Sequence, residues 1–377
     1  MKQVFWLLVV LLSIQASPAL AQTTVVDSIM SDGVWRPYRV YIPSKYHRGS
    51  ARPLLVHLHA FTSNGLSAQY YENYMPVADT ANFLVAYPDA TLDGNGLRAW
   101  NTGWPGVGNP ATDDVKFLSA LIDTLAARYS IDLTRVYASG LSLGGFMCYQ
   151  LAWKLSNRIA AIASVSGSMH PSQFAVCTPP RAIPVMEIHG TADKLISYDG
   201  TMYNVNADTL MKFWVENDNC LLPPSITNLP DVDPKDGSTV VHYVWSAEVE
   251  SITCEIYKVI NGPHVDWPGK HSGANRDFDA STAIWQFFSR YTLGQFQAVK
   301  PEPGASRTES IFYPNPCTQT IHRSSAFQGG VKIFDALGRD VVSSHAQDIN
   351  VASLPPGLYI VRAEIHGQLR TGKMLKQ

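Results

Sequence analysis

The sequence predicts an α/β fold, in which helices flank a mostly parallel β-sheet, followed by a small antiparallel β-sandwich domain. Short β-branched or aliphatic runs alternate with segments of helical period through most of the chain, which is typical of a parallel sheet covered by helices. After residue 310 the pattern changes to short strands separated by glycine and proline turns. The 377 residues fit one large and one smaller domain, since a domain averages roughly 150 residues.

Composition and charge exclude two classes of protein. The chain is 46% hydrophobic and 16% charged, so it can bury a sizeable core and is too apolar for a disordered chain. The 29 Lys and Arg residues nearly balance the 31 Asp and Glu residues, for a net charge of -2. Nothing in this balance indicates a polyanionic partner, so nucleic acid is not an expected ligand.

The first 21 residues resemble an export signal. Lys2 precedes an apolar run over residues 4–14, and small residues precede a cleavage site after Ala21. The run is shorter than the roughly 20 residues that span a bilayer, although an uncleaved anchor is the alternative. We therefore expect residues 1–21 to be a signal peptide and the protein to be secreted, with no transmembrane segment in the mature chain.

Strands and helices of the main domain can be assigned from the hydrophobic pattern. Apolar residues recur at spacings of three and four over residues 115–129, which predicts a helix capped by Asp113 or Asp114. Further helices are predicted over residues 145–155 and 281–293. The predicted strands cover residues 54–59, 83–87, 135–139, 160–165, 183–189 and 255–260. Together they predict an α/β domain over residues 22–297.

A change of composition marks the end of that domain. Residues 298–310 contain two prolines, a glycine and several charges, and are predicted to be a linker. Residues 311–377 form the predicted β domain, with strands such as 331–334 and 358–363. No catalytic cluster is evident in this domain, which favours a role in binding, attachment or sorting.

The cysteine count is odd, so at least one thiol remains unpaired in the exported chain. Cys220 and Cys254 are plausible disulfide partners in an oxidising compartment, because a bridge would join a helix over residues 211–216 to the last predicted strand. The pairing of Cys148, Cys177 and Cys317 is left open. No CxxC or Cys/His cluster is present, so no metal site is predicted.

The sharpest motif is a G-x-S-x-G match at residues 140–144. A predicted strand leads into it and a predicted helix leads out, which is the context of a nucleophile elbow. Side chains at Gly140 or Gly144 would crowd the neighbouring strand and helix. Ser142 is therefore the predicted nucleophile.

A serine nucleophile needs a general base and an acid that orients it, in the chain order Ser, acid, His. Asp193 follows the strand over residues 183–189 and is the predicted acid, with Asp199 as the alternative. His264 follows the strand over residues 255–260 and is the predicted base. Because the carboxyl ends of parallel strands share one edge of a sheet, these residues are expected to converge.

The oxyanion of such a reaction needs two backbone N–H donors. The residue after the serine, Leu143, supplies one, and the loop over residues 59–62 is predicted to supply the other through Phe61. His57 and His59 are expected to be structural.

At these residues the chain resembles the secreted α/β-hydrolases that include polyhydroxybutyrate depolymerases and feruloyl or acetylxylan esterases. The resemblance covers roughly residues 25–295 and implies that Ser142, Asp193 and His264 are nucleophile, acid and base. The chain departs from the family at Ala60, where glycine is usual. The supporting segments are RVYIP from residue 39, RVYASGLSLGG around the serine, IHGTAD, NGPHVDWPG and DFDAS.

Residues 311–377 resemble the C-terminal sorting domain of type IX secretion cargo, through FYPNP, VKIFDALG, LPPGLY and Lys373 near the C-terminus. The resemblance implies transport by that machinery, then release or attachment at the cell surface, and the domain is expected to be removed afterwards. A carbohydrate-binding module is the competing interpretation.

The predicted function is a secreted serine carboxylic ester hydrolase without a cofactor, acting on feruloyl or acetyl esters of plant polysaccharide. Tyr70, Trp100, Trp104 and Trp267 are candidate contacts for an aromatic or sugar-bearing ester. The first alternative is a polyhydroxyalkanoate or other polyester depolymerase, and peptidases share the order of the three residues. The alternative of another class is a non-catalytic surface protein that binds glycan.

Overall fold

A computed structural model describes residues 22–247, 252–264, 267–269, 274–295, 312–313, 317–323, 329–335, 338–365 and 368–376. The predicted signal peptide and the predicted linker lie outside the described residues. Among the helices described, none combines the length and the apolar character that crossing a membrane requires.

The main domain is built on one large sheet. Its central strands are parallel, in the order β4, β3, β5, β6, β7, β10, and antiparallel strands extend both edges, β1 and β2 beside β4, and β9 and β8 beside β10. The strand bounds are β1 Thr23–Ser31, β2 Val34–Ile42, β3 Arg52–Leu58, β4 Leu84–Pro88, β5 Ile131–Leu141, β6 Ala161–Val165, β7 Val185–Gly190, β8 Ser225–Asn228, β9 Thr239–Ser246 and β10 Thr253–Ile260.

Helices cover both faces of this sheet. Successive strand residues point to opposite faces, so Leu54 and Val56 pack with α3, α4 and α6, whereas Leu55 packs with α1, α2 and α7. The predicted cap Asp113 accepts a hydrogen bond from the Lys116 N–H and begins α3. The helix bounds are α1 Gly65–Tyr71, α2 Met75–Ala81, α3 Asp114–Arg128, α4 Leu143–Lys154, α5 Pro171–Val176, α6 Ala207–Asn217 and α7 Ala280–Phe288, with a short 3-10 turn at Leu293–Gln295.

All six predicted strands are present, which confirms the α/β architecture, but the antiparallel edges were not predicted. At one edge β1 and β2 form a hairpin whose turn residues, Asp32 and Gly33, both have positive φ, 51° and 76°. An Asp-Gly pair between two β-rich runs is a strong hairpin signal, because both residues tolerate this backbone conformation. Strands at a half-exposed edge lack the continuous apolar run that identifies the central strands.

The C-terminal residues form two small antiparallel sheets, as predicted, with the orders β11-β12-β15 and β14-β13-β16-β17. Ile321 and Ile349 from the first sheet pack against Ile333 and Val361 from the second. The bounds are β11 Phe312–Tyr313, β12 Thr320–Arg323, β13 Val331–Phe334, β14 Asp340–Ser344, β15 Asp348–Asn350, β16 Gly357–Ile365 and β17 Gln368–Lys376.

In the described chain Cys148, Cys220, Cys254 and Cys317 are free thiols. Cys220 follows α6 and Cys254 lies in β10, and the two side chains are in hydrogen-bonding contact. The Cys254 thiol also donates to Asp218 Oδ2 at 3.5 Å. This proximity is what a disulfide would require, and the bond itself stays a prediction.

We expect glutathione disulfide to lower the thiol count of the denatured protein by two, because one bridge consumes two thiols. The melting temperature should rise, because a bridge between residues 220 and 254 restricts the unfolded chain. The free energy of unfolding should increase by about 2–4 kcal/mol. Thiol titration and calorimetry measure both effects. Cys220→Ser should abolish the gain, and an equal gain in that variant would contradict the pairing.

Candidate active site

Three of the predicted site residues lie within four residues of the carboxyl ends of central parallel strands. Ser142 follows β5, Asp193 lies three residues after β7, and His264 lies four residues after β10. Ser142 and His264 line one cavity of about 320 Å³. Its other walls are largely apolar and include Phe61, Trp104, Val107, Leu143, Phe146 and Leu195.

Ser142 sits on a strained turn. Its φ of 53° and ψ of -116° are unfavourable for a non-glycine residue, and its N–H is held by the Val165 carbonyl at 2.8 Å. A Cβ at Gly140 would lie 2.4 Å from the Gly144 carbonyl carbon, and one at Gly144 would lie 2.0 Å from the Leu58 carbonyl oxygen. Glycine at both positions is thus required by close backbone approach.

Four nitrogen atoms surround the carboxylate of Asp193. Oδ1 accepts from the N–H groups of Leu195 and Ile196 at 2.9 and 2.8 Å. Oδ2 lies 2.7 Å from His264 Nδ1 and 3.3 Å from His189 Nε2. Burial raises the pKa of Asp193, but the hydrogen bonds from the two imidazoles outweigh it and lower the pKa to about 2. Asp193 is therefore ionised in any neutral solution.

The bond to Asp193 determines the tautomer of His264. An ionised carboxylate can only accept, so Nδ1 of His264 carries the proton and Nε2 keeps a lone pair. The loops of these two residues are tied together, because the Ala192 N–H donates to the Gly262 carbonyl at 2.9 Å. Asp199, the alternative acid, is exposed and is not the residue bonded to His264.

A second imidazole lies below Asp193. His189 is 1% exposed, its Nδ1 lies 3.0 Å from Glu187 Oε1, and its Nε2 donates to the Ile196 carbonyl at 2.8 Å. Burial disfavours the imidazolium, but the bonds to Asp193 and Glu187 prevail and raise the pKa of His189 to about 10. The protonated imidazole stabilises the negative charge on Asp193.

The two residues predicted to supply the oxyanion donors, Phe61 and Leu143, both line the cavity. Leu143 is the first residue of α4, so its N–H has no acceptor within the helix. The peptide between Ala60 and Phe61 is oriented by His59. The Ala90 N–H donates to His59 Nε2 at 3.0 Å, so Nδ1 carries the proton and donates to the Ala60 carbonyl at 2.7 Å.

This contact directs the Phe61 N–H. In a trans peptide the N–H points away from the carbonyl of the same unit, so a carbonyl held by His59 turns the Phe61 N–H to the opposite side. Ala60 and Phe61 both line the cavity. Burial lowers the pKa of His59 to about 3, so this orientation is maintained by a neutral imidazole at working pH. Ala60 in place of glycine leaves this arrangement intact.

The four aromatic candidates lie in different surroundings. Trp104 lines the cavity. Trp100 and Trp267 are wrong as substrate contacts, because both are fully buried and their indole N–H groups donate to the His59 carbonyl at 3.0 Å and to Ser281 Oγ at 2.9 Å. Trp100 instead supports the loop of His59. Tyr70 lies on α1, 64% exposed, and does not line the 320 Å³ cavity of the described chain.

Residues 111–222 match the phospholipase/carboxylesterase family, and residues 311–377 match the secretion system C-terminal sorting domain. The bifunctional acetylxylan esterase/xylanase XynS20E of Neocallimastix patriciarum is 27% identical over 296 residues, 78% of this chain and 38% of the relative. Feruloyl esterase D of Neurospora crassa is 26% identical over 284 residues, 71% of this chain and 86% of the relative.

A third relative is poly(3-hydroxyalkanoate) depolymerase C of Paucimonas lemoignei, 27% identical over 158 residues, 42% of this chain and 37% of the relative. The chain thus spans well under half the length of the first and third of these relatives. The sheet order, the strained serine turn and the family matches define an α/β-hydrolase domain. It precedes a secretion system sorting domain, so the protein is secreted or exposed at the cell surface.

Gly144→Ala should lower activity at least tenfold and the free energy of unfolding by about 1–3 kcal/mol, because the added methyl group overlaps the Leu58 and His59 carbonyls. Ester turnover and denaturant unfolding measure the two effects. Gly94→Ala is the matched control, since nothing lies within 4 Å of its Cβ. Equal behaviour of the two variants would show that the close approach is unimportant.

His189→Asn should raise the pKa of Asp193, because it removes a charge-assisted bond to the carboxylate. Such bonds contribute about 1.5–3 kcal/mol, which predicts a loss of roughly tenfold or more in kcat/KM. The acid limb of the pH–rate profile, where Asp193 becomes protonated, should move to higher pH. Steady-state rates from pH ~3 to neutral test this. His242→Asn is the control, because it removes the hydrogen bond between His242 in β9 and Glu255 in β10. It should leave the acid limb of the pH–rate profile unchanged.

Proposed function

We propose that the protein is a secreted serine carboxylic ester hydrolase, with its catalytic domain over residues 22–297. Ser142 is the nucleophile, His264 the general base and Asp193 the residue that orients it. The observation that carries the proposal is the 2.7 Å bond between His264 and Asp193, which leaves a basic nitrogen on a residue that lines the same cavity as Ser142.

The reaction proceeds through an acyl-enzyme. His264 Nε2 takes the proton of Ser142 as Oγ attacks the ester carbonyl, and the N–H groups of Leu143 and Phe61 stabilise the oxyanion. The carbon–oxygen bond to the alcohol then breaks, and His264 returns the proton to the departing alcohol. A water molecule attacks the acyl-enzyme by the same route and frees Ser142. These steps require no cofactor.

The substrate proposed is a feruloyl or acetyl ester of plant polysaccharide. The 320 Å³ cavity lies at the small end of the range for small-molecule sites, roughly 300–1,000 Å³, and its apolar walls suit an acyl group. Phe61 and Leu195 are 39% and 68% exposed, so the cavity has an apolar rim open to a large substrate. Relatives named for acetylxylan and feruloyl ester hydrolysis support this choice over a polyester.

The sorting domain supports export by the type IX machinery. In this proposal residues 311–377 are recognised during secretion, and the hydrolase domain acts outside the cell on polymers that cannot enter it. In this proposal the sorting domain folds around its own two-sheet core.

Ser142→Ala should reduce hydrolysis of p-nitrophenyl acetate by about 10⁴-fold or more, because the acyl-enzyme can no longer form. The melting temperature should stay within about 2 °C, since the Ser142 side chain makes no capping hydrogen bond to α4. A fluorophosphonate probe should label the wild type and not the variant. Retained turnover in the variant would refute the mechanism.

A substrate panel separates the alternatives. Methyl ferulate or acetylated xylan should be turned over faster than polyhydroxybutyrate, and preference for polyhydroxybutyrate would favour the depolymerase instead. A wild type that neither reacts with fluorophosphonate nor hydrolyses any ester would identify the protein as a non-catalytic glycan binder.

A further inference from the structure

A second, larger cavity of about 670 Å³ adjoins the proposed acyl cavity. Trp104 and Val107 line both, so these two side chains form the partition between them. The other walls are mainly polar, in contrast to the apolar walls around Ser142. They include Asn101, Thr112, Asp113, Gln150, Lys154 and Gln173.

The charges in this cavity balance. Asp114 is buried and paired with Arg36 at 2.7 Å, which leaves the exposed Lys154 and Asp113 as one positive and one negative group at the walls. A site with this balance has no preference for a phosphate or another anion. It suits an uncharged ligand that both donates and accepts hydrogen bonds.

Side-chain amides supply donors and acceptors. Gln150 is held in place, because its Nε2 donates to the Asn101 carbonyl at 2.9 Å and its Oε1 accepts from Lys154 at 3.3 Å. Gln173 lines the wall beside Gly103, and within the described chain its carboxamide makes no hydrogen bond. Lys154 and Gln173 are therefore available to a ligand.

Trp104 adds an aromatic surface to this polar wall. Its ring packs edge-on against Phe146, with centroids 5.5 Å apart, and at a tilt against Tyr203 at 5.8 Å. Its indole N–H is buried and has no acceptor among the described residues. A ligand oxygen that accepts from this N–H would offset the free-energy cost of burying it without a hydrogen bond. Sugar rings offer C–H faces for an aromatic ring and hydroxyl groups for amides.

We infer that the polar cavity binds the sugar units of the substrate while the apolar cavity holds the acyl group, with Trp104 between them. This inference rests on the proposed function and deepens it, because it selects a neutral polysaccharide ester over a polyester. A polyester chain offers carbonyl acceptors but no hydroxyl donors along its length, so it would leave the carbonyl oxygen of Gln173 without a donor.

The experiment compares kcat/KM for acetylated xylohexaose with kcat/KM for p-nitrophenyl acetate, which has no sugar. In Gln173→Ala and in Lys154→Ala the ratio of the two constants should fall about fivefold to tenfold, as expected for one lost hydrogen bond to a ligand. Lys212→Ala is the matched control, a half-exposed lysine on α6 that does not line the cavity, and its ratio should stay within twofold of the wild type.

Unesterified xylohexaose gives an independent measurement as a competitive inhibitor of p-nitrophenyl acetate hydrolysis. Its inhibition constant should rise in the Gln173 and Lys154 variants and not in the Lys212 variant. If the wild type hydrolyses p-nitrophenyl acetate but neither variant changes the ratio or the inhibition constant, the inference is wrong and the proposed function stands. If the wild type hydrolyses no ester, both are overturned.

Discussion

The arrangement of the site depends on the carboxylate of Asp193. Two backbone N–H groups hold one oxygen and two imidazoles face the other, so the side chain has a single orientation. That orientation sets the tautomer of His264 and keeps its second nitrogen basic. A carboxylate this buried would otherwise favour its neutral form, and the cationic imidazole of His189 offsets that tendency.

The central sheet and the three proposed catalytic residues could be predicted because each depends on local signals. Continuous apolar runs identify buried parallel strands, and the topology then brings Ser142, Asp193 and His264 to one edge. The roles of His59 and His189 could not be predicted in this way. Each acts through a hydrogen bond to a group whose direction is known only once the chain has folded.

The same limit explains the errors among the aromatic residues. Tryptophan suits a substrate pocket and a protein core equally well, and composition does not distinguish the two. Trp100 satisfies its indole N–H on the His59 carbonyl and Trp267 on Ser281, which are core contacts. Trp104 lacks such an acceptor within the described chain and is the one of these three that reaches a cavity. The hairpin of β1 and β2, in contrast, has a local signal, the Asp-Gly pair at residues 32 and 33.

The close contact between the loops of Asp193 and His264 has a consequence for protein engineering. A Cβ at Gly190 would lie 2.2 Å from the Gly262 carbonyl oxygen, and the Asn261 N–H donates to Thr191 Oγ1 at 2.9 Å. The two segments therefore behave mechanically as one part, although about 70 residues separate them in the chain. A chimaera that exchanges only the Asp193 loop or only the His264 loop would place non-matching backbones in contact. Recombination in this scaffold should therefore transfer both loops together.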